Sequence, residues 1–349
     1  MKIVFLYMCK YSGLFFLSNY LMRKKLLILC YHGFELNNES QFRPQLFIKR
    51  TTFERRLKAI KKSSSVVISL DDAVKALETN SLPDNAVVIT IDDGFYSVLR
   101  IGFPLLQQND LPATLYLTTM DMQKGLPILR LIIPYMVATT TKESINTSQY
   151  KWGCKETINL TFPQDRKSFI ESCIFFAEKL ESDESIEKFF CDLGCVLGID
   201  YKDVRDTRLL SLLSESEASM LASKGIDIQL HTHTHRFPKN DTETANIEIN
   251  QNRQILENLA RNQLIHFCYP SGQWSTSHWP ILKKQGIKSA TTCSPGLNDS
   301  TVNLLSLNRF LDGENIPDIV FESELYRFNE FTRKLKNLFK WHPVRTPNI

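Results

Sequence analysis

Seven short runs of apolar, β-prone residues recur along the chain, each followed by polar or helical sequence. They are 26–31 (LLILCY), 66–69 (VVIS), 86–91 (AVVITI), 113–118 (ATLYLT), 226–230 (IDIQL), 265–269 (IHFCY) and 287–292 (IKSATT). Runs that are apolar at nearly every position, not at every second one, suit strands covered on both faces, as in a parallel sheet. Helical patterns lie between them. Thr51-Thr52-Phe53-Glu54 opens one that reaches about Lys62, a second runs from Ser97 to Asn109 and is stopped by Pro112, and a third from Asp241 to Arg261 sets Ile247, Ile249, Ile255 and Leu256 among polar residues. Strand–helix alternation of this kind implies an α/β fold.

One region breaks the alternation. Between about residues 120 and 223 no convincing strand is visible, but helical stretches are, at 166–180 and 185–197. The expectation is a helical insertion between two core strands, within a catalytic domain spanning 26–322. A basic, helical tail (323–349) follows, and an apolar segment (1–25) precedes. Residues 3–22 are mostly apolar and end at Arg23-Lys24-Lys25, but Lys10, Ser12, Gly13, Ser18 and Asn19 interrupt them and no small-residue cleavage site follows. A helix packed on the domain and a membrane-surface anchor are both compatible with that pattern.

Composition removes several classes. With 43% hydrophobic and 23% charged residues the chain is neither disordered nor a polytopic membrane protein. A net charge of +4, with no long Lys/Arg run, argues against nucleic-acid binding. Eight cysteines in 349 residues, none in a C-x-x-C pair, are too sparse for a disulfide scaffold. Buried thiols in a cytoplasmic, possibly membrane-associated, protein are the expectation.

Three candidate sites fall at carboxyl ends of predicted strands, the edge where α/β proteins gather functional loops. Asp92-Asp93-Gly94 follows AVVITI. Adjacent buried carboxylates repel one another, and a cation bound to one relieves this while leaving the other free as a base; a solvated Asp-Gly turn is the plain alternative. His231-Thr232-His233-Thr234-His235 follows IDIQL and gathers three of the seven histidines within five residues. If that segment turns helically, His231 and His235 share a side and His233 faces elsewhere; if it stays extended, all three share one. Tyr269-Pro270-Ser271-Gly272 closes IHFCY as a tight turn able to present backbone N–H groups to an oxyanion. One Asp and two His make a three-ligand metal site with open positions, suited to Zn²⁺, with Co²⁺ or Ni²⁺ as substitutes. A second Asp as base then describes hydrolysis of an acyl bond.

At these residues the chain resembles the polysaccharide deacetylase family (carbohydrate esterase family 4, the NodB-homology domain). Its T-F-D-D-G motif corresponds to Thr90-Ile91-Asp92-Asp93-Gly94, its H-[ST]-x-x-H motif to His231 through His235, and the F-A-Y-P-Y-G variant of its third motif to Phe267 through Gly272. Tyr31-His32-Gly33, Leu111-Pro112-Ala113-Thr114, Gly286 to Ala290 and Asn308-Arg309-Phe310 fit the family's weaker context. The resemblance covers about residues 26–120 and 223–310 and implies a distorted (β/α) barrel. It also implies Asp92 as general base, Asp93, His231 and His235 as ligands of a divalent metal, and Thr232 as a hydrogen-bonding support of the His loop. The Ser271 N–H would hold the oxyanion, with Tyr269, Pro270 and Gly272 lining the substrate, an N-acetylated glycan.

Two family features are missing: the Asp-containing fourth motif after Gly272 and the late Leu-His pair that supplies the general acid. His32, at the same predicted edge as Asp92, is the expected replacement, and His278 is the next candidate. A glycan-binding barrel without turnover is the alternative to a metal-dependent deacetylase; a phosphoesterase would need further bridging carboxylates.

Overall fold

Each of the seven apolar runs forms a strand of one parallel sheet, and an eighth strand joins them. In a computed structural model, which describes residues 2–153 and 157–338, the strands are β1 (Leu27–Tyr31), β2 (Val66–Val67), β3 (Ala86–Ile91), β4 (Thr114–Leu117), β5 (Asp227–Leu230), β6 (His266–Cys268), β7 (Ser289–Thr291) and β8 (Phe310–Leu311). Cys154, His342 and the tail past Leu338 lie outside the described residues. The hydrogen-bonded order is β7-β6-β5-β4-β3-β1-β8, with β2 also on β3, and every pairing is parallel.

Parity along the strands explains why the runs are continuously apolar. Leu27, Leu29, Tyr31, Val87, Ile89 and Ile91 face the large outer core under the helices. Ile28, Val88, Tyr116 and Cys268 meet Leu307 and the helix Leu70–Glu78 in a second, smaller core enclosed by the sheet. The sheet curls until one segment touches both of its edges: Leu307 bridges Thr291, while Phe310 and Leu311 pair with Leu29 and Cys30. The result is a distorted (β/α) barrel.

The region between β4 and β5 is helical, as expected, with Met120–Lys124, Leu129–Thr139, Pro163–Ala177, Asp183–Leu197, Tyr201–Asp206 and Glu215–Ser223. It also holds a small antiparallel pair, Ser144–Ile145 with Ile158–Asn159, too short to show as a period-2 pattern. Its end reaches the first candidate site, where Leu213 N donates to Gly94 O at 2.9 Å.

The N-terminal apolar segment is two helices, Lys2–Tyr11 and Leu14–Leu21, broken where Gly13 takes φ 82°. Leu6, Cys9 and Phe15 pack on Ile319 and Phe328 of the C-terminal helices Asp318–Leu325 and Phe328–Leu338. No helix among the described residues is long and apolar enough to cross a membrane. The cysteines of the described residues are free thiols; Cys191 and Cys195 are exposed instead of buried, because they sit on the outer face of the Asp183–Leu197 helix.

Candidate active site

The two adjacent carboxylates part company at the end of β3. Asp92 continues the strand, its N–H donating to Tyr31 O at 2.9 Å, and its side chain points into the barrel. Asp93 takes φ 68°, a left-handed conformation that a non-glycine residue holds only when its surroundings impose it. Gly94 follows at φ 91°, where a Cβ would stand 2.2 Å from Leu117 Cδ2, so the turn excludes any larger residue. The reversal carries Asp93 toward the His loop.

That loop is also tightly bent, with Thr232 at φ 66° and His235 at φ 57°. It brings both His231 Nε2 and His235 Nε2 to 3.3 Å from Asp93 Oδ1. His233 faces the other way, its Nδ1 2.9 Å from Thr119 Oγ1, so the turned form of the segment is the one adopted. The loop is braced from the helix Thr242–Leu256. Asn252 Oδ1 accepts from His231 N at 3.0 Å while its amide donates to Leu117 O at 2.9 Å, and Glu248 Oε2 accepts from Thr234 N at 2.8 Å. Thr232 does not brace it: its hydroxyl is buried without a hydrogen-bond partner among the described residues. A helix of 15 residues offers rigid acceptors that a loop residue in a left-handed conformation cannot aim.

The donor set suits a divalent metal. His231 Nδ1 is 2.8 Å from Cys268 O, and a carbonyl only accepts, so Nδ1 carries a proton and, in the neutral ring, the Nε2 lone pair faces Asp93 and His235. An imidazole held by its outer nitrogen is the arrangement that orients a metal ligand. Two imidazole nitrogens and one carboxylate oxygen, mutually within 4.8 Å, match a site for Zn²⁺ or a similar ion. Burial raises the Asp93 carboxyl, but hydrogen bonds from His231 and His235 outweigh it and hold the group well below the usual carboxylate range. Burial lowers the His231 imidazole, and the neighbouring Asp93 and Asp92 more than reverse this.

Asp92 belongs to a separate, dry cluster. Arg309 Nη1 and Nη2 reach its two oxygens at 2.7 Å each, while Arg309 Nε donates to Thr292 O at 2.9 Å. Both side chains are buried. Burial opposes the Asp92 carboxylate, yet the Arg309 charge and its two hydrogen bonds carry the pKa far below the usual range. Cys268 Sγ and Cys30 Sγ stand 3.3 and 3.5 Å from Asp92 Oδ2, and burial pushes both thiols up, so they stay protonated donors. Sequence reasoning placed Arg309 on a late strand but gave it no role; the one available signal was a cation inside a short β-prone segment.

The remaining expectations divide. His32 Nε2 lies 3.9 Å from Asp92 Oδ2, and its Nδ1 is buried without a partner among the described residues. His278, the second candidate, is a structural residue: Nε2 is 3.0 Å from Pro238 O and Nδ1 accepts from Ser275 N at 3.2 Å. Ser271, at φ 53° and exposed, forms the tip of a turn with Gly272, where a Cβ would meet Cys293 Cβ at 2.7 Å. Tyr269 and Pro270 do not line an open surface. Both are buried, and the Tyr269 hydroxyl donates to Leu305 O at 2.9 Å beneath a stacked Trp274, so they anchor the turn from below.

The carboxyl edge of the distorted parallel barrel thus carries an Asp–His–His cluster and a paired Asp, as the resemblance implies. The comparisons agree: residues 179–290, which hold the His loop and the third motif, match the polysaccharide deacetylase family. Among solved structures, the Streptococcus pyogenes deacetylase PplD aligns at TM-score 0.54 and 17% identity, over 83% of this chain and 93% of that one. IcaB from Ammonifex degensii aligns at TM-score 0.52 and 15% identity, over 86% and 95%. A polysaccharide deacetylase from Bacillus cereus aligns at TM-score 0.52 and 17% identity, over 86% and 69%. No curated protein matches the chain.

Proposed function

We propose that the chain is a divalent-metal-dependent hydrolase that removes N-acetyl or related acyl groups from an amino sugar of a glycan. The observation that carries this reading is the convergence of Asp93, His231 and His235 beside an ionised Asp92. A divalent ion held by the three would polarise the acyl carbonyl and acidify a water. Asp92 would act as the base that accepts a proton from the attacking water. Arg309 keeps it ionised through the working pH range and holds both oxygens in place, so correct protonation is traded against base strength. His32, whose Nε2 lies 3.9 Å from Asp92 Oδ2, would return a proton to the departing amine. In the exposed turn the Gly272 N–H is spent on Tyr269 O, which leaves the Ser271 N–H to hold the oxyanion. PplD is described in complex with acetate, the product such a reaction would release here.

The test is acetate release from N-acetylated oligosaccharides, before and after chelation and after return of Zn²⁺. Turnover should vanish with the metal and return with it. Asp92→Asn should keep metal and lose about 10²–10⁴-fold in kcat, the scale of a lost general base. Chelator-insensitive release, or metal binding without release from any glycan, would overturn the reading.

A further inference from the structure

The two N-terminal helices expose what the rest of the molecule buries. Of sixteen large hydrophobic side chains exposed among the described residues, eleven lie between Ile3 and Leu21. Phe5 is 51% exposed, Met8 61% and Phe16 67%, while only the opposite side of each helix, with Leu6, Cys9 and Phe15, packs on the C-terminal helices. Contiguous apolar surface of this kind is uncommon on soluble proteins unless something covers it.

Charge is segregated to the same place. Residues 1–25 contain five Lys/Arg and no acidic residue, and 328–338 contain three against the single Glu330. Since the whole chain has 42 basic and 38 acidic residues, what remains carries 34 against 37 and is net negative. Arg23 lies over the Tyr20 ring at 4.3 Å, joining the basic rim to the aromatic one. In space these cations meet acids, Lys10 with Glu322, Arg23 and Lys24 with Asp84 and Lys25 with Asp299, but the basic residues stay in excess. Apolar faces edged by tyrosines and by such an excess of Lys/Arg complement an anionic lipid surface.

The geometry allows lying on a bilayer and not crossing it. Helices of 10 and 8 residues reach roughly 15 and 12 Å, against about 30 Å of hydrocarbon. Both are tied down, by the Lys10–Glu322 ion pair and by Ser18 Oγ donating to Tyr326 O at 2.9 Å. We propose that the 2–21 helix pair, rimmed by Arg23, Lys24 and the Phe328–Leu338 helix, docks in-plane on an anionic bilayer.

The docking also sets an orientation. Asn85 N donates to Arg23 O at 2.8 Å, and Arg327 Nη2 to Ala86 O at 3.2 Å, so the pair sits at the amino ends of β1 and β3. Asp92, Asp93 and His231 occupy the carboxyl ends. The catalytic edge therefore faces away from the lipid, toward glycan in the aqueous phase.

Co-sedimentation of the full chain with phosphatidylcholine vesicles, with and without about 30 mol % phosphatidylglycerol, tests this without reference to activity. The chain should pellet with the anionic vesicles and be partly released by salt. Phe5→Glu/Phe16→Glu should lower the bound fraction about tenfold or more while retaining bound metal, which shows that the barrel is intact. A chain that stays in solution with both vesicles, or a double variant that pellets like the wild type, overturns the proposal. So does a dimer in solution that the double variant dissociates, because a second copy would then be what covers the patch.

Discussion

The two walls of the site are built by opposite means. Asp93, His231 and His235 come from two bent loops, and over a buried His231 the other two remain partly open to water, with the His235 side chain 40% exposed. Asp92 meets Arg309, His32, Cys30 and Cys268 in a closed cluster drawn from four strand ends, where the Arg309 side chain is 0% exposed. In the wet wall, the donors are arranged so that an ion from outside could neutralise their charge. In the dry wall every charge must bring its partner with it, because an unpaired one would be too costly to bury. A fold that puts the same residue type, Asp, on both sides thereby assigns it two different chemistries.

The largest effect should come from the wet wall. His231→Ala or Asp93→Ala should lower metal affinity by at least about 10²-fold, read as bound metal per chain after dialysis, whereas His233→Ala should retain it. Retention in His231→Ala would erase the distinction between the walls.

Next comes the dry wall. Arg309→Met leaves a buried carboxylate unpaired and should cost about 3–5 kcal/mol in denaturant unfolding. Adding Asp92→Asn to it should recover part of the loss. The pH response sharpens the same point. Asp92 has its folded pKa below the unfolded value, so the pair's stabilisation is present above the ordinary carboxylate range and fades as pH falls toward the folded pKa. In Arg309→Met the sign reverses, and acid should narrow the gap to wild type. Equal losses at neutral and acid pH would mean that the pair contributes packing and not charge.

The smallest effect isolates burial from pairing. His266 is buried against Ser289, and burial pushes its imidazole down to about 4, with weaker opposition from Asp227 and Asp71. A depressed folded pKa means full stability above about 6.5, declining as pH falls from there toward 4, by roughly 3 kcal/mol at most. His266→Asn should flatten that decline in urea titrations at pH 7 and pH 5. An unchanged slope would assign the acid sensitivity to other groups.

How much of this was legible follows the distance between partners. The strands were readable because burial on both faces leaves a continuous apolar signature, seen in β1, β3 and β4, where every position is buried. His231 and His235 were readable because one short loop carries both. His32 was singled out by its strand end alone, and the structure does bring it beside Asp92. Tyr269 was misread as substrate-facing since a turn signal says nothing about which of its residues lies underneath. Thr232 was credited with a support that Glu248 and Asn252 provide, from a helix whose sequence shows only an ordinary amphipathic pattern.

Local sequence determined the parallel, doubly covered strands, the turn at Asp93-Gly94 and the pair of histidines, because each depends on propensity, periodicity or spacing within a few residues. Only the tertiary structure decided which aspartate stays free and ionised. Arg309 is 217 positions from Asp92, just ahead of a strand two residues long, and reaches it only because the sheet curls until its last segment touches both edges. No periodicity encodes that meeting. It follows from closing the barrel around a charge that could not be buried alone.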